Sequence, residues 1–285
     1  MIDSLASIAE GKERISEIYP EVGDIESENP KSITLEKITQ NTLEWYEGHE
    51  SKSWIISSGC GAFLADQIIA LNLEELKNPS DDEDEPLADK VKKVEIAIRN
   101  AHKETGYKWE DIKNGFYAEA AMAIALKQIG FQVYIPDPID DQKGKIDLYI
   151  TDDQEKENPF IGALQLKNSV NMRGVLIENA HNINSVASKI KDNWDFRENN
   201  YEIATERLNH LVNSLDKSVE QMLDYLPLNH GSRVKIIPIV AIISGGEGSS
   251  HSMYNVRTGS PRGEPFEKGG MASKVYDEIY KIIYS

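Results

Sequence analysis

Two short stretches, KIDLYI at residues 145–150 and IGALQLKN at residues 161–168, alternate apolar and polar side chains as strands do, yet carry Asp147, Gln165 and Lys167 among apolar neighbours. Residues two apart on a strand share a face, so Gln165 and Lys167 project together while Leu164 and Leu166 project to the other side. About ten mostly polar residues separate the stretches, and a meander connection there sets Asp147 beside Gln165. Burying a carboxylate, an amide and an ammonium without partners costs several kcal/mol each. An Asp147–Lys167 ion pair at the end of a sheet would offset that cost structurally. A divalent cation, Mg²⁺ or Mn²⁺, would offset it functionally, held by Asp147, the Gln165 side-chain oxygen and the Leu166 backbone carbonyl. Lys167 would then orient or deprotonate an attacking water.

These residues need elements to hold them. The segment WEDIKNGFYAEAAMAIALKQIG, from Trp109, is rich in Ala, Leu and Ile, has no internal proline and stops at Gly130, which predicts a helix. Within it Glu119 has Phe116 three residues before and Met122, Ala123 and Leu126 three, four and seven after, so it lies in the apolar stripe and is expected to point inward. A second inward acid suits a hard cation that takes about six oxygen ligands. The following FQVYIP predicts a strand ended by Pro136-Asp137-Pro138; residues 145–150 and 160–167 predict two more. A long polar stretch follows Asn168, then a helix at residues 202–226 ended by Pro227, a buried strand in VKIIPIVAIIS, and a last helix at residues 273–283.

The order helix-borne Glu119, then Asp147 on the second strand, then Gln165-Leu166-Lys167 on the third, with an 18-residue step between Asp147 and Gln165, resembles the PD-(D/E)XK nuclease superfamily. Gln165 stands where Asp or Glu is usual, a variant similar to the Mrr-like branch. The literal Pro136-Asp137 lies one strand too early, so Asp147 takes the acidic position. Gln221 and Tyr225, four apart on one helix face, are similar to the Gln-x-x-x-Tyr signature of RecB-like members. The resemblance covers residues 107–245 and implies an α/β restriction-endonuclease-like core, a mixed central sheet flanked by helices. It implies Mg²⁺-dependent cleavage of DNA phosphodiester bonds leaving 5′-phosphates, with Glu119, Asp147, Gln165 and Lys167 as catalytic residues. Cutting both strands would need a homodimer. An inactive relative that binds nucleic acid or a protein partner is the alternative, with Gln165 recording a lost ligand.

The formal charge of −17 excludes a nonspecific polycation that coats nucleic acid. Residues 1–95 hold about 9 basic against 22 acidic side chains, and residues 96–285 about 22 against 26. The chain accordingly divides into an acidic, mainly helical region at residues 1–95, ending in the acidic linker KNPSDDEDEPLAD, and a nuclease-like region at residues 96–285. The first region has helices expected around residues 33–46 and 62–76. DNA contacts would come from local phosphate-binding side chains: Lys143, Lys145, Asn168, Arg173, Gln221 and Tyr225 near the site, with Lys189, Lys191, Arg257 and Arg262 farther along. The longest apolar run, near Ile236, is far short of the roughly 20 residues that span a bilayer, so no membrane partner is expected. The chain reads as cytoplasmic. One cysteine, Cys60, excludes an internal disulfide and a Cys-based zinc cluster, while its place between glycines leaves a reactive thiol conceivable.

Overall fold

A computed structural model describes residues 52–77, 85–134, 136, 144–152, 160–196, 201–226, 235–244, 254–255, 260–261 and 270–284. The helix expected at residues 33–46 and most of the acidic linker lie outside them. The chain separates into two compact units. One holds the described residues of Ala125–Met253 and Pro261–Ser285, the other those of Glu13–Ile124 and Tyr254–Ser260. No helix among the described residues is long and apolar enough to cross a membrane.

The first unit is mixed α/β, built on a five-strand mixed sheet flanked by helices. β1 (Gln132–Tyr134), β2 (Leu148–Thr151) and β3 (Phe160–Ser169) form the expected antiparallel meander. β5 (Lys235–Ser244) runs parallel to β3 over its whole length, and β4 (Val175–Asn179) pairs antiparallel on the far side of β5, giving the order β1-β2-β3-β5-β4. Parallel neighbours need a long crossover. Here it carries β4, α4 (Ile183–Asp192) and α5 (Tyr201–Tyr225). The β4 ladder ends at Asn179–Ile239, so Pro238 sits in a stretch of β5 where that edge asks for no further amide donor.

Burial of one α5 stripe holds the layers together. Leu208, Leu211, Leu215, Val219 and Met222, spaced three or four residues apart, pack with Val186 and Ile190 of α4 against Tyr149, Ile161, Ala163, Val240 and Ile242 of the sheet. Each fully buried aliphatic side chain there contributes about 1.5–3 kcal/mol. On the opposite sheet face Phe160 meets Tyr284 of α6 (Met271–Tyr284) edge-on at 6.3 Å, and α6 packs on β4.

The second unit is helical. α1 (Lys52–Lys77) pairs with α2 (Leu87–His102), which a 3₁₀ turn (Lys103–Thr105) connects towards α3 (Trp109–Gln128). α1 begins well before the expected residue 62. α2 runs without interruption through residues 95 and 96, and the compact units divide at Ile124–Ala125 instead. α3 ends as expected: Gly130 has φ 101°, its amide bonds to the Lys127 carbonyl, and the Phe131 amide bonds to the Leu126 carbonyl. This double closure needs a left-handed residue, and glycine adopts it without a Cβ penalty.

Candidate functional site

Strand alternation and register create the site. Tyr149 lies opposite Ala163 and Leu148 opposite Leu164, so the same ladder, extended one residue, places Asp147 opposite Gln165 on the face that α5 covers. Asp147 precedes the first regular pair of the ladder, and its amide donates to the Leu164 carbonyl at 2.8 Å, one residue out of the register that sets Leu148 opposite Leu164. The approach to Asp147 is conformationally unusual. Lys145 has φ 51°, a left-handed conformation that costs a non-glycine residue about 1–2 kcal/mol. Just before it, a Cβ on Gly144 would lie 2.6 Å from the Tyr225 ring, so glycine is what lets α5 approach this backbone.

Gln165 is the centre of the arrangement, at 2% exposed. Its Nε2 donates to Asp147 Oδ2 at 2.5 Å and to the Leu166 carbonyl at 3.0 Å. The Leu166 amide also donates to Asp147 Oδ2. A carboxylate oxygen and a backbone carbonyl oxygen thus converge on one atom. Gln165 Oε1, by contrast, is buried and has no hydrogen-bond partner. Leaving such an acceptor unsatisfied costs about 1–3 kcal/mol. Asp147 and Lys167 are half-buried, and Lys167 shares the Gln165 face, opposite Ile242 on β5.

The chain matches no protein-family model, no curated protein and no solved structure at a significant level. The chemistry of the site therefore rests on its own geometry. Carboxylate, amide and carbonyl oxygens are the hard set that Mg²⁺ and Mn²⁺ take; here the Gln165 amide turns its nitrogen to the carboxylate and the carbonyl and leaves its oxygen buried without a partner. Among the described residues no group of three or more His, Cys, Asp or Glu side chains is placed to hold a metal.

The remaining sequence-derived candidates fall in different places. Glu119 is half-buried on α3, in the second unit, whereas the first unit by itself supplies Asp147, Gln165, Leu166 and Lys167. Tyr225 stands against Gly144 at the entry to the Asp147 segment, and Gln221 is exposed one turn earlier on α5. Lys145 and Asn168 are half-buried; Asn168 lies on the sheet face opposite Gln165, with its Nδ2 buried and unpartnered. Arg173 is committed elsewhere. Its guanidinium contacts the buried carboxylate of Asp195 at 2.9 and 3.2 Å, fastening the β3–β4 turn to the α4–α5 connection. Lys189 pairs with Glu178, and Lys143, Arg257 and Arg262 lie outside the described residues. Cys60 is fully buried and burial pushes its thiol up to about 12, which argues against a reactive thiolate.

Sequence reasoning missed a second polar cluster. Glu95 on α2 accepts hydrogen bonds from Trp109 Nε1 at 3.1 Å, Tyr117 Oη at 2.8 Å and Lys113 Nζ at 3.3 Å. Burial raises the Glu95 pKa, but those three donors outweigh it and hold the carboxyl below its ordinary value. The signal was present: Trp109, Lys113 and Tyr117 are four apart, three donors on one helix face in need of an acceptor. Beside this cluster His102 Nε2 contacts Ser57 Oγ at 2.7 Å, with both residues 1% exposed.

Proposed function

We propose that the protein is a metal-dependent endodeoxyribonuclease of the restriction-endonuclease-like type. It would hydrolyse DNA phosphodiester bonds to leave 5′-phosphates, in a restriction, defence or repair role. The observation that carries the reading is the convergence of Asp147 Oδ2 and the Leu166 carbonyl on the Gln165 side-chain amide, whose own oxygen is buried and unpartnered. The three-strand meander and the parallel β5 that frame these residues support it.

In this reading Asp147, the Gln165 side-chain oxygen and the Leu166 carbonyl hold Mg²⁺ or Mn²⁺. The bound cation supplies acidification of water and stabilisation of the negative charge that builds on the scissile phosphate. The chain's own residues do the rest. Lys167, on the same strand face and two residues along, holds the nucleophilic water or takes its proton. The left-handed Lys145 turn and the Tyr225–Gly144 contact fix where the Asp147 carboxylate points, since an error near 1 Å in such a group is expensive in rate. Duplex cleavage requires two such sites, hence a homodimer on DNA.

A second reading, a silent relative that binds nucleic acid or a protein, is favoured by the hydrogen bond that already occupies Asp147 from the Gln165 amide. Supercoiled plasmid incubated with Mg²⁺ or Mn²⁺ separates the two. The nuclease reading expects nicked or linear product from the natural chain, and a loss of at least about a hundredfold in Asp147→Ala and in Lys167→Ala. Equal cutting by chain and variants, or none across duplex, single-stranded and branched DNA, overturns it.

A further inference from the structure

Two oxygens and one nitrogen make up the heart of the site, and the nitrogen is on the wrong side for holding a cation. Gln165 Nε2 uses its two hydrogens on Asp147 Oδ2, at 2.5 Å, and on the Leu166 carbonyl, at 3.0 Å. An amide NH₂ repels a cation, whereas the Oε1 atom of the same group, buried and unpartnered, is the kind of donor a hard cation takes. The side chain is 2% exposed, so it cannot swing out to solvent without opening the layer between the sheet and α5. One motion exchanges the two atoms within the same volume: a half-turn about the last side-chain bond, a soft two-fold rotor.

We propose that Gln165 is a two-position amide switch. With the nitrogen inward it occupies Asp147 and the Leu166 carbonyl by hydrogen bonding and closes the site. With the oxygen inward it completes a three-oxygen set and opens the site to a divalent cation. This rests on the cation-binding reading and adds to it a built-in gate. Neither position satisfies the whole amide, because the surroundings that leave Oε1 unpartnered offer its place to the nitrogen after rotation. Without a cation the nitrogen-inward position wins by two hydrogen bonds, since the oxygen-inward one sets three acceptors against one another, and the cation is the ligand that reverses the preference. Cation affinity is reduced by the fraction of time the nitrogen spends inward. A carboxylate at position 165 has no inward nitrogen and carries no such reduction.

The test uses the full-length chain labelled with ¹⁵N, with the Gln165 NH₂ pair assigned from its disappearance in Gln165→Glu. Calorimetry with Mg²⁺ and with Ca²⁺ runs alongside, so that neither readout depends on DNA cleavage. Before cation is added, the Gln165 NH₂ protons are expected to be hydrogen-bonded and slow to exchange. On saturation the pair should shift in step with the calorimetric isotherm, and its exchange should accelerate at least about tenfold as the two acceptors are lost. Gln165→Glu should bind Mg²⁺ at least tenfold more tightly than the natural chain. Cation binding with an unmoved Gln165 NH₂ pair overturns the switch and leaves the cation site standing. No cation binding by either protein, with both folded by circular dichroism, overturns the cation site and the switch together. An unchanged affinity in Gln165→Glu also overturns the switch, because the gate then carries no weight.

Discussion

Two carboxylates, one in each unit, are hydrogen-bonded in opposite styles. Glu95 in the helical unit receives three donors, and each of its partners gains from the arrangement: the Trp109 indole, the Tyr117 hydroxyl and the Lys113 ammonium, whose side chain is 6% exposed. Asp147 in the sheet unit receives the Leu166 amide and the Gln165 amide, but the latter contact leaves Gln165 Oε1 buried and unpartnered. The first cluster converts buried polarity into helix packing. The second leaves one end of the Gln165 amide, its Oε1, without a donor, and the proposed cation switch turns on that end. The two polar clusters differ less in composition than in whether their donors and acceptors close.

The comparison breaks or sharpens under substitution. The largest stability effect should come from Glu95→Ala, which strips Lys113, Trp109 and Tyr117 of a shared acceptor. We expect a loss of about 3 kcal/mol in urea denaturation. Asp147→Asn keeps an acceptor oxygen for the Leu166 amide and should cost under about 1 kcal/mol while abolishing cation binding. If the stability costs came out reversed, the assignment of one cluster to packing and the other to function would fall.

A smaller effect concerns pH. Burial pushes the Asp66 carboxyl on α1 up to about 8, from an ordinary value near 4. Between about pH 4 and 8 the folded chain then keeps a proton that the unfolded chain has released, so this group's contribution to stability falls as pH rises through that window. Asp66 keeps some solvent access at its helix flank, which moderates the slope. Asp66→Asn should flatten the pH dependence and raise Tm at pH 8 by on the order of 5 °C, with no change at pH 4. An equal gain at both pH values would count against a proton-linked cost. The smallest effect belongs to Arg173, whose guanidinium serves Asp195 and is 43% exposed in its side chain. Arg173→Ala should lose about 1 kcal/mol or less and leave unchanged the salt dependence of the DNA binding proposed above. A shallower salt slope would return Arg173 to the phosphate-contacting group.

Much of the sheet was legible because its signals are local. The 2-residue period of KIDLYI and IGALQLKN set Asp147 and Gln165 on one face, and the structure pairs them directly. The apolar run of β5 and the stripe of α5 read equally well. The sequence did not reveal β4 or α4. VLIEN is a five-residue strand, too short to stand out, whereas Ile183, Val186 and Ile190 of α4, three and four residues apart, form an apolar stripe that the reading of that polar stretch passed over. Arg173 read as a phosphate contact because its partner Asp195 is 22 residues away, beyond any spacing rule.

Residue order determined which atoms could meet: alternation fixed the faces, Gly130 fixed where α3 stops, and the meander fixed that Asp147 would reach Gln165. Only the tertiary structure decided which end of the Gln165 amide turns inward and that the other end finds no partner. The reason is physical. Periodicity along a chain specifies direction to within a face, whereas hydrogen-bond satisfaction depends on angstrom-scale positions of atoms contributed by separate strands and helices, which no local pattern encodes.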